Sequence, residues 1–305
     1  MATSIIISLI ISVILNVGFL NQANSSEIMP ANHLEPAENG LPRNLNLPVK
    51  KLAAGNLEIS ATSSAAVDCK SDAVLFGKQK DQIWPIASIT KLAAALVFLE
   101  HNPGWDAIYQ IKAGDKQEGG RIYLFMGEKV KVKDLFYFSL VGSDNTAAMA
   151  LVRSTGLSDE EFINKMNEKV RALGLKNTHF DDPVGLSSGN VSTAKEIAAL
   201  AGAAFANEDI SGASLTKAYE FETLGGRKKK INNTDALLDI FPQNGIKILG
   251  GKTGYIEASG YCFVGKFADH SGNEIISVVL GADSYNARFV QTKEMVEWVY
   301  ENYQW

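Results

Sequence analysis

One serine and one lysine in this chain have the types and the spacing of a nucleophile with its base. Ser88 and Lys91 are three residues apart, so in a helix their side chains share one face. A serine hydroxyl is a weak nucleophile until a base removes its proton. Burial of Lys91 among apolar neighbours would disfavour its charged form and leave a neutral amine as that base. The pair therefore predicts covalent catalysis at Ser88.

Ser143 and Asn145 form a second candidate pair further along the chain. Proton transfer from the nucleophile to a leaving nitrogen needs a relay, which the Ser143 hydroxyl can supply. The Asn145 amide both donates and accepts hydrogen bonds, so it can hold Lys91 and an amide group of the substrate. We expect these two residues to complete the catalytic group.

A third group, Lys252-Thr253-Gly254, has residue types suited to a strand that binds the substrate. On an edge strand, Lys252 would place a positive charge where the terminal carboxylate of a substrate lies, and Thr253 would add a hydroxyl donor. Gly254 has no side chain, so a substrate backbone can approach closely. These residues predict a subsite for a peptide that ends in a carboxylate.

Each of these short patterns is common by itself, so their order carries the argument. The S-x-x-K pattern also occurs at Ser192 and Ser214, and S-x-N also occurs at Ser188, Ser271 and Ser284. The K-[ST]-G pattern occurs once. Of the three S-x-x-K serines, only Ser88 is followed by an S-x-N before that triplet with enough chain around it to form a domain.

Composition excludes several classes of function. The chain has 305 residues, of which 46% are hydrophobic and 21% are charged, as expected for a globular protein with one or two cores. A net charge of -5 argues against binding to nucleic acid, and we expect the basic run 227–230 to be a solvated hairpin or loop. The 4 histidines lack metal-ligand spacing, so neither a metal nor another cofactor is expected.

The N-terminal region predicts export followed by a tether. Residues 5–20 are almost all apolar, but no Lys or Arg precedes them and no small-x-small cleavage site follows. At ~1.5 Å per residue the run reaches about 24 Å, short of the ~30 Å hydrocarbon core, so 1–23 is either a signal peptide or an N-terminal anchor. The proline-rich segment 24–57 is predicted to be a disordered linker, and 58–305 the catalytic domain.

Hydrophobic periodicity predicts a mixed α/β (α+β) domain. Helices are expected over 88–100, 134–140, 146–154, 159–173, 193–205 and 287–303, and strands over 64–69, 73–77, 248–255, 260–268 and 274–281. The first helix is apolar nearly all round and should be central. Ser158 and Glu161 predict a capping box, and Ser192 a helix N-cap. Cys69 and Cys262 lie in strand-like apolar runs and are expected to be buried, unbridged thiols.

Longer stretches around the three motifs resemble the low-molecular-mass penicillin-binding proteins of the D-alanyl-D-alanine carboxypeptidase and endopeptidase group. The matching stretches are WPIASITKL at 84–92, LGLKNTHF at 173–180, GLSSGNVSTA at 185–194 and GKTGY at 251–255. The resemblance covers about 60–303. It implies a β-lactamase/transpeptidase-like fold, in which an antiparallel sheet built from both ends of the chain packs against helices with an inserted helical subdomain.

The resemblance also implies a function and a place of action. The substrates would be peptidoglycan stem peptides ending in D-Ala-D-Ala, with β-lactams as covalent inhibitors, on the cell-wall side of the membrane. The backbone N–H groups of Ser88 and Tyr255 would form the oxyanion hole. The family's sheet would place another strand between those that carry the two cysteines.

Four functions stay open within this fold. A D,D-carboxypeptidase is the first, and a D,D-endopeptidase is its alternative, because the chain stops right after its last predicted helix, where many family carboxypeptidases carry a β-rich domain and a membrane helix. A β-lactamase would need a deacylating carboxylate, and we read the candidate at 160–164 as helix surface. A non-catalytic β-lactam sensor or wall-binding module is the last, but all candidate catalytic residues are present, so nothing in the sequence supports a loss of activity.

Another serine pattern, GLSSG at 185–189, matches a hydrolase nucleophile elbow with Ser187 as the nucleophile. An elbow needs a buried strand directly before the serine, whereas Asp181-Asp182-Pro183 precedes it. The required downstream histidine would be His270, in a polar turn. We therefore expect Ser187 not to be the nucleophile.

Overall fold

A computed structural model describes residues 47–52, 55–117, 122–241 and 245–305. The predicted signal peptide or anchor, 1–23, lies outside the described residues, as does most of the predicted linker. Within the described ranges, no helix is both long enough and apolar enough to cross a membrane.

The central element is an antiparallel sheet of five strands. Its strands, in spatial order, are β10 (Lys247–Ile256), β11 (Gly260–Ala268), β12 (Glu274–Ala282), β2 (Ser63–Asp68) and β3 (Val74–Lys78). Both ends of the chain thus contribute to one sheet, as predicted. Strand β10, which carries Lys252, is at the edge.

Seven α-helices surround the sheet in the described part of the chain. They are α1 (Thr90–Glu100), α2 (Val132–Val141), α3 (Asn145–Ser154), α4 (Asp159–Ala172), α5 (Ala194–Phe205), α6 (Glu208–Leu215) and α7 (Ala287–Asn302). The mixed α/β fold predicted from periodicity is confirmed. Helix α6 was not predicted, because a short helix with Gly, Ser and Asp gives little helical periodicity.

Short two-stranded ladders complete the fold. They pair β1 (Val49–Lys50) with β13 (Tyr303–Gln304), β4 (Trp84–Pro85) with β7 (Val191–Ser192), β5 (Ile108–Gln110) with β6 (Lys129–Lys131), and β8 (Ala218–Glu222) with β9 (Lys228–Asn232). Strand β1 lies within the predicted linker, so this part of the segment has a defined contact with the end of the chain. The Trp298 indole also donates to the Gly55 carbonyl, at 2.9 Å.

The two faces of the sheet bury separate apolar cores. On one face Val264, Ile276 and Val278 pack with α1 to α5, whereas on the other Phe263 and Val279 pack with α7. Alternating strand residues therefore serve alternating cores. Helix α1 is buried on nearly every side, as its all-round hydrophobicity predicted.

Helix α5 corrects one predicted cap. Thr193, not Ser192, is its N-cap, and the Thr193 hydroxyl accepts a hydrogen bond from the Glu196 N–H at 3.1 Å. Ser192 lies instead in β7, where its hydroxyl is 2.7 Å from that of Thr178. The strand pairing of Ser192 moves the helix start one residue onward. The capping box of Ser158 and Glu161 on α4 is confirmed.

The basic run 227–230 lies in a hairpin, as predicted, with 228–230 at the start of strand β9, but it is not solvated throughout. Lys228 and Lys230 are exposed, whereas Lys229 is 8% exposed and its ammonium lies 2.8 Å from the Glu128 carboxylate. Successive strand residues point to opposite faces, so the middle lysine is directed inward. It needs a carboxylate partner because it is buried.

Both cysteines are free thiols. Cys262 lies in β11 and Cys69 directly follows β2, and β12 runs between these two strands. The predicted absence of a bridge is confirmed. Cys262 is fully buried as expected, while Cys69 is only partly buried because it lies at the strand end.

Candidate active site

The nucleophile candidate lies where a tight turn enters helix α1. Ser88 is the middle residue of a 3-10 turn, Ala87–Ile89, and Lys91 is in the first turn of α1. The Lys91 ammonium donates to the Ser88 Oγ at 2.9 Å. Ala87, the first residue of this turn, has a φ of +47°, a region that non-glycine residues rarely adopt. The predicted nucleophile and base are therefore in direct contact.

Lys91 is 1% exposed, and its ammonium has three oxygen partners. Besides Ser88, it donates to the Asn145 Oδ1 at 2.7 Å and to the Val184 carbonyl at 2.6 Å. Burial lowers the pKa of Lys91 to about 7, and the charges of Asp144 and Asp182 oppose that shift. A substantial fraction of Lys91 is thus neutral near neutral pH, as a general base requires.

The turn between α2 and α3 supplies Ser143 and Asn145. The Asp144 carboxylate caps α3 by accepting from the Ala147 N–H at 2.6 Å, which fixes Asn145 as the first helical residue. Ser143 has a φ of +56°, in a region that costs a non-glycine residue about 1 to 3 kcal/mol. This backbone brings the Ser143 hydroxyl to the same cleft as the Asn145 amide.

Lys252 is buried and contacts the predicted relay serine. Its ammonium donates to the Ser143 Oγ at 2.7 Å and to the Thr253 carbonyl at 3.0 Å, and the residue is 1% exposed. Burial lowers its pKa well below the ordinary value, and the nearby charges of Lys91 and Arg288 act in the same direction. Lys252 therefore touches the predicted relay serine rather than standing free in the cleft.

Strand β10 passes close to the nucleophile because Gly254 has no side chain. A Cβ at Gly254 would lie 2.8 Å from the Ile86 carbonyl oxygen and 3.3 Å from the Ser88 nitrogen. Any larger residue would push the strand away from the turn. The N–H of Tyr255 follows this glycine directly, so the two expected oxyanion donors are on adjoining segments.

The cleft between these elements has a volume of about 490 Å³. Six of the eight predicted site residues line it: Ser88, Ser143, Asn145, Thr253, Gly254 and Tyr255. Lys91 and Lys252 are buried beneath it. The lining also contains residues that the sequence did not single out as site residues: Leu186, Thr234, Ile256, Glu257, Tyr285 and Arg288.

Arg288 is the most significant of these additional residues. It lies in the first turn of α7, is 4% exposed, and donates to the Gly254 carbonyl at 3.2 Å. Its guanidinium lies 4.6 Å from the ring centres of both Tyr285 and Phe289. The sequence shows an arginine at the start of the last predicted helix, but it does not indicate which strand the side chain reaches.

Thr234 forms a hydrogen bond with Thr253, which lines the edge of the cleft. The two hydroxyl oxygens are 2.7 Å apart. Thr234 itself is fixed by its N–H, which donates to the Val141 carbonyl at 3.1 Å, just before the turn that carries Ser143. One short segment therefore links the binding strand to the relay serine.

The loop that supports Lys91 is organised by one carboxylate. Asp182 accepts hydrogen bonds from the N–H groups of Val184, Gly185 and Ser187 at 2.6 to 2.7 Å. These bonds fold the loop and turn the Val184 carbonyl toward Lys91. Ser187 follows this turn rather than a buried strand, which agrees with its exclusion as a nucleophile.

Neither the carboxylates at the start of α4 nor His270 line the cleft. Glu160 and Glu161 are exposed in the first turn of that helix, as expected for helix surface. His270 is in the turn after β11. Within the described ranges, no cluster of histidine, cysteine and carboxylate side chains has the arrangement of a metal site.

Comparison with known proteins gives one consistent result. The family model described as D-alanyl-D-alanine carboxypeptidase, Peptidase_S11, matches residues 50–284. A D-alanyl-D-alanine endopeptidase of Haemophilus influenzae is 35% identical over 240 residues, which cover 76% of this chain and 80% of that protein. The carboxypeptidase DacF of Bacillus subtilis is 31% identical, and the alignment covers 80% of this chain and 63% of DacF. The solved DD-transpeptidase of Streptomyces K15 is 28% identical, with a TM-score of 0.73 over 81% of this chain and 99% of that one.

The pKa of Lys91 predicts how acylation of this site by a β-lactam depends on pH. With a pKa of about 7, Lys91 is protonated below that pH and neutral above it. The acylation rate constant should therefore rise about tenfold per pH unit below pH ~7 and stop rising above it. The acylation rate constant can be measured by stopped-flow or mass spectrometry at pH values below and above ~7. A rate that does not change with pH would contradict the role of Lys91, and Lys91→Arg should be inactive throughout.

Gly185 predicts a second effect, on the geometry of the nucleophile. A Cβ there would lie 2.2 Å from the Ala87 carbonyl oxygen, at a φ of +89°. Gly185→Ala should displace the Ser88 turn and slow acylation about 100-fold, since a 1 Å misplacement can cost that much.

Gly174→Ala is the matched control for this variant, because Gly174 has a similar φ of +76° but open space around its Cα. Both variants should lose about 1 to 2 kcal/mol of stability from backbone strain. Only Gly185→Ala should lose acylation, and equal acylation rates in the two variants would show that the contact with Ala87 is unimportant.

Proposed function

The chain belongs to the D-alanyl-D-alanine carboxypeptidase family, Peptidase_S11, and from that premise we propose that Ser88 is its nucleophile, the residue that becomes acylated. Membership of this family makes the chain a serine-type hydrolase of D-Ala-D-Ala peptides that acts outside the cytoplasm. The observation that supports Ser88 is its contact with a buried, weakly basic lysine at the bottom of the cleft.

In the acylation step, neutral Lys91 takes the proton of the Ser88 hydroxyl, and the Ser88 Oγ attacks the carbonyl carbon of the penultimate D-alanine. Negative charge develops on the carbonyl oxygen, where the N–H groups of Ser88 and Tyr255 stabilise it. Each such donor is typically worth about 3 kcal/mol of barrier. The result is a tetrahedral intermediate and a protonated Lys91.

Collapse of that intermediate breaks the bond to the leaving nitrogen. The Ser143 hydroxyl gives its proton to this nitrogen and takes one from Lys252, whose ammonium is 2.7 Å away. The terminal D-alanine, or the amine of a cross-link, then leaves. Ser88 carries the acyl group, and Lys252 is neutral.

Deacylation reverses the proton movements. Water attacks the ester and loses a proton to Ser143, which passes its own to Lys252. Lys91 returns its proton to the Ser88 Oγ as the ester bond breaks. All protons are then in their starting places, and no group outside the cleft is required.

The terminal carboxylate of the substrate is placed beside Thr253. Its hydroxyl can donate, the buried Lys252 ammonium donates to the Thr253 carbonyl, and Arg288 lines the same cleft and donates to the Gly254 carbonyl. Lys252 therefore contributes to carboxylate binding through its charge while its hydrogen bonds go to Ser143 and Thr253. A charge of this kind is strong because the surrounding dielectric is low.

Carboxypeptidase activity is the first candidate, and cross-link endopeptidase activity is the second. The endopeptidase of Haemophilus influenzae is aligned over 80% of its length, compared with 63% for DacF. The cleft also continues past Tyr255 to Glu257 and Tyr285, which leaves room beyond the scissile bond. Both observations support endopeptidase activity as the second candidate, so a cross-linked substrate should be tested as well.

The N-terminal segments complete the proposal. We propose that 1–23 directs export and either is cleaved or remains as an anchor, and that 24–57 tethers the catalytic domain, 58–305. Both fates are proposed because the apolar run is typical of an export signal, whereas no Lys or Arg precedes it and no small-x-small cleavage site follows it. Edman sequencing of the mature protein from membrane and soluble fractions distinguishes them.

Incubation with muropeptides tests the function. Protein from residue 24 onward, treated with purified pentapeptide monomers and cross-linked dimers, should release D-alanine from the first, cleave the second, or do both, as measured by mass spectrometry. Ser88→Ala should abolish every product, and labelling with penicillin should place the adduct on the tryptic peptide containing Ser88. An adduct on Ser187 or Ser192 would contradict the assignment.

A further inference from the structure

Asp235 is a buried carboxylate that the mechanism above does not use. It is 4% exposed, and one oxygen, Oδ1, caps the 3-10 turn Ala236–Asp239 by accepting from the Leu237 N–H at 2.9 Å. The other oxygen, Oδ2, is buried and has no hydrogen-bond partner among the described residues. Such an oxygen is costly to keep charged, so its position calls for a physical explanation.

The Oδ2 atom lies directly against the binding strand. A Cβ at Gly251 would be 2.3 Å from it, so only a glycine leaves room for the carboxylate at this point of β10. Lys252 follows Gly251, and Thr234, which precedes Asp235, contacts Thr253. The carboxylate is therefore behind the part of the strand that faces the substrate.

Two cations and one acid interact electrostatically with Asp235. Lys252 approaches from β10, Arg288 from α7, and Asp239 from the same 3-10 turn. Next to Asp235, the Gly251 N–H donates to the Ser214 hydroxyl of α6 at 3.3 Å, and a Cβ at Gly251 would also meet the Phe263 ring of β11. The Arg288 Nε is also buried without a partner in the described structure. The two cations and Asp235 are thus close without forming an ion pair.

Burial raises the pKa of Asp235 to about 7, and the charges of Arg288 and Lys252 limit the rise. The carboxyl group can therefore gain or lose its proton near neutral pH. Protonated, it leaves the positive charge of the two cations uncompensated. Ionised, it offsets part of that charge.

We propose that Asp235 is a positioning residue that sets how strongly the cleft attracts the terminal carboxylate of a substrate or β-lactam. The inference rests on the proposed function in one respect, namely that the ligand presents its carboxylate beside Thr253. A protonated Asp235 strengthens that attraction, and an ionised Asp235 weakens it.

Linkage gives the sign of the pH dependence. As pH rises through the pKa of Asp235, the carboxylate becomes charged and repels the anionic ligand. Conversely, binding of the anion favours the protonated form of Asp235, so binding takes up protons near neutral pH. Carboxylate recognition should therefore weaken with rising pH for a reason that is independent of Lys91.

The test compares benzylpenicillin with its methyl ester, which lacks the carboxylate charge. Second-order acylation rate constants are measured by mass spectrometry at pH values from about 5.5 to 8.5 for wild type and for Asp235→Asn, whose side chain can still cap Leu237. The informative quantity is the variant rate divided by the wild-type rate, because the titration of Lys91 largely cancels in it.

For benzylpenicillin this quotient should be near one at low pH and rise to about three- to tenfold at high pH, as the charge is lost from a site of intermediate dielectric. For the methyl ester it should stay flat. Asp239→Asn, in the same turn but exposed and paired with Lys217, should give a nearly flat quotient with both compounds.

A flat quotient for benzylpenicillin would overturn the inference. So would a quotient that falls with pH, because that would mean Asp235 acts by keeping Lys252 charged. Asp235→Ser, a second uncharged cap, repeats the test if the asparagine variant does not fold. In addition, the wild-type rate with benzylpenicillin divided by the wild-type rate with its methyl ester must fall as pH rises. Failure of wild type to react with either compound would instead contradict the proposed function.

Discussion

The enclosure of the Lys91 ammonium is the constraint on which the rest of the site depends. Its three hydrogen bonds go to the neutral oxygens of Ser88, Asn145 and Val184, so nothing in direct contact offsets the cost of burying its charge. That cost is what lowers its pKa. The 3-10 turn before α1, the capped start of α3 and the loop folded by Asp182 each hold one of these oxygens in place.

The buried lysines and arginine of the site do not form ion pairs with the buried carboxylates beside them. Lys91, Lys252 and Arg288 are buried near one another, and Asp144 and Asp235 are buried nearby without forming an ion pair with them. Burial raises the pKa of Asp144 to about 6, with the Lys91 charge opposing the rise. An arrangement of ion pairs would be more stable, but its lysines would hold their protons too tightly to exchange them with serines.

The sequence could predict the elements and most of the site, because both depend on local pattern. Periodicity predicted α1 and the sheet strands, and the spacing of Ser88 and Lys91 on one helical face predicted their contact. What could not be predicted depends on contacts between distant segments. The Val184 carbonyl reaches Lys91 through a loop folded by Asp182, and Arg288 reaches β10 from the last helix. The contact of Lys252 with Ser143 likewise depends on how the inserted helices pack against the sheet edge.

Direct titration of Lys91 is the measurement that tests this account most sharply. Heteronuclear NMR of lysine labelled at the ε-carbon and ζ-nitrogen, with the Lys91 signal assigned by its loss in Lys91→Arg, gives the pKa without reference to any reaction. The account predicts a midpoint near pH 7, shifted far below that of the exposed lysines. A midpoint at the ordinary value of about 10.4 would contradict it, because Lys91 would then be charged at neutral pH and could not accept the proton of Ser88.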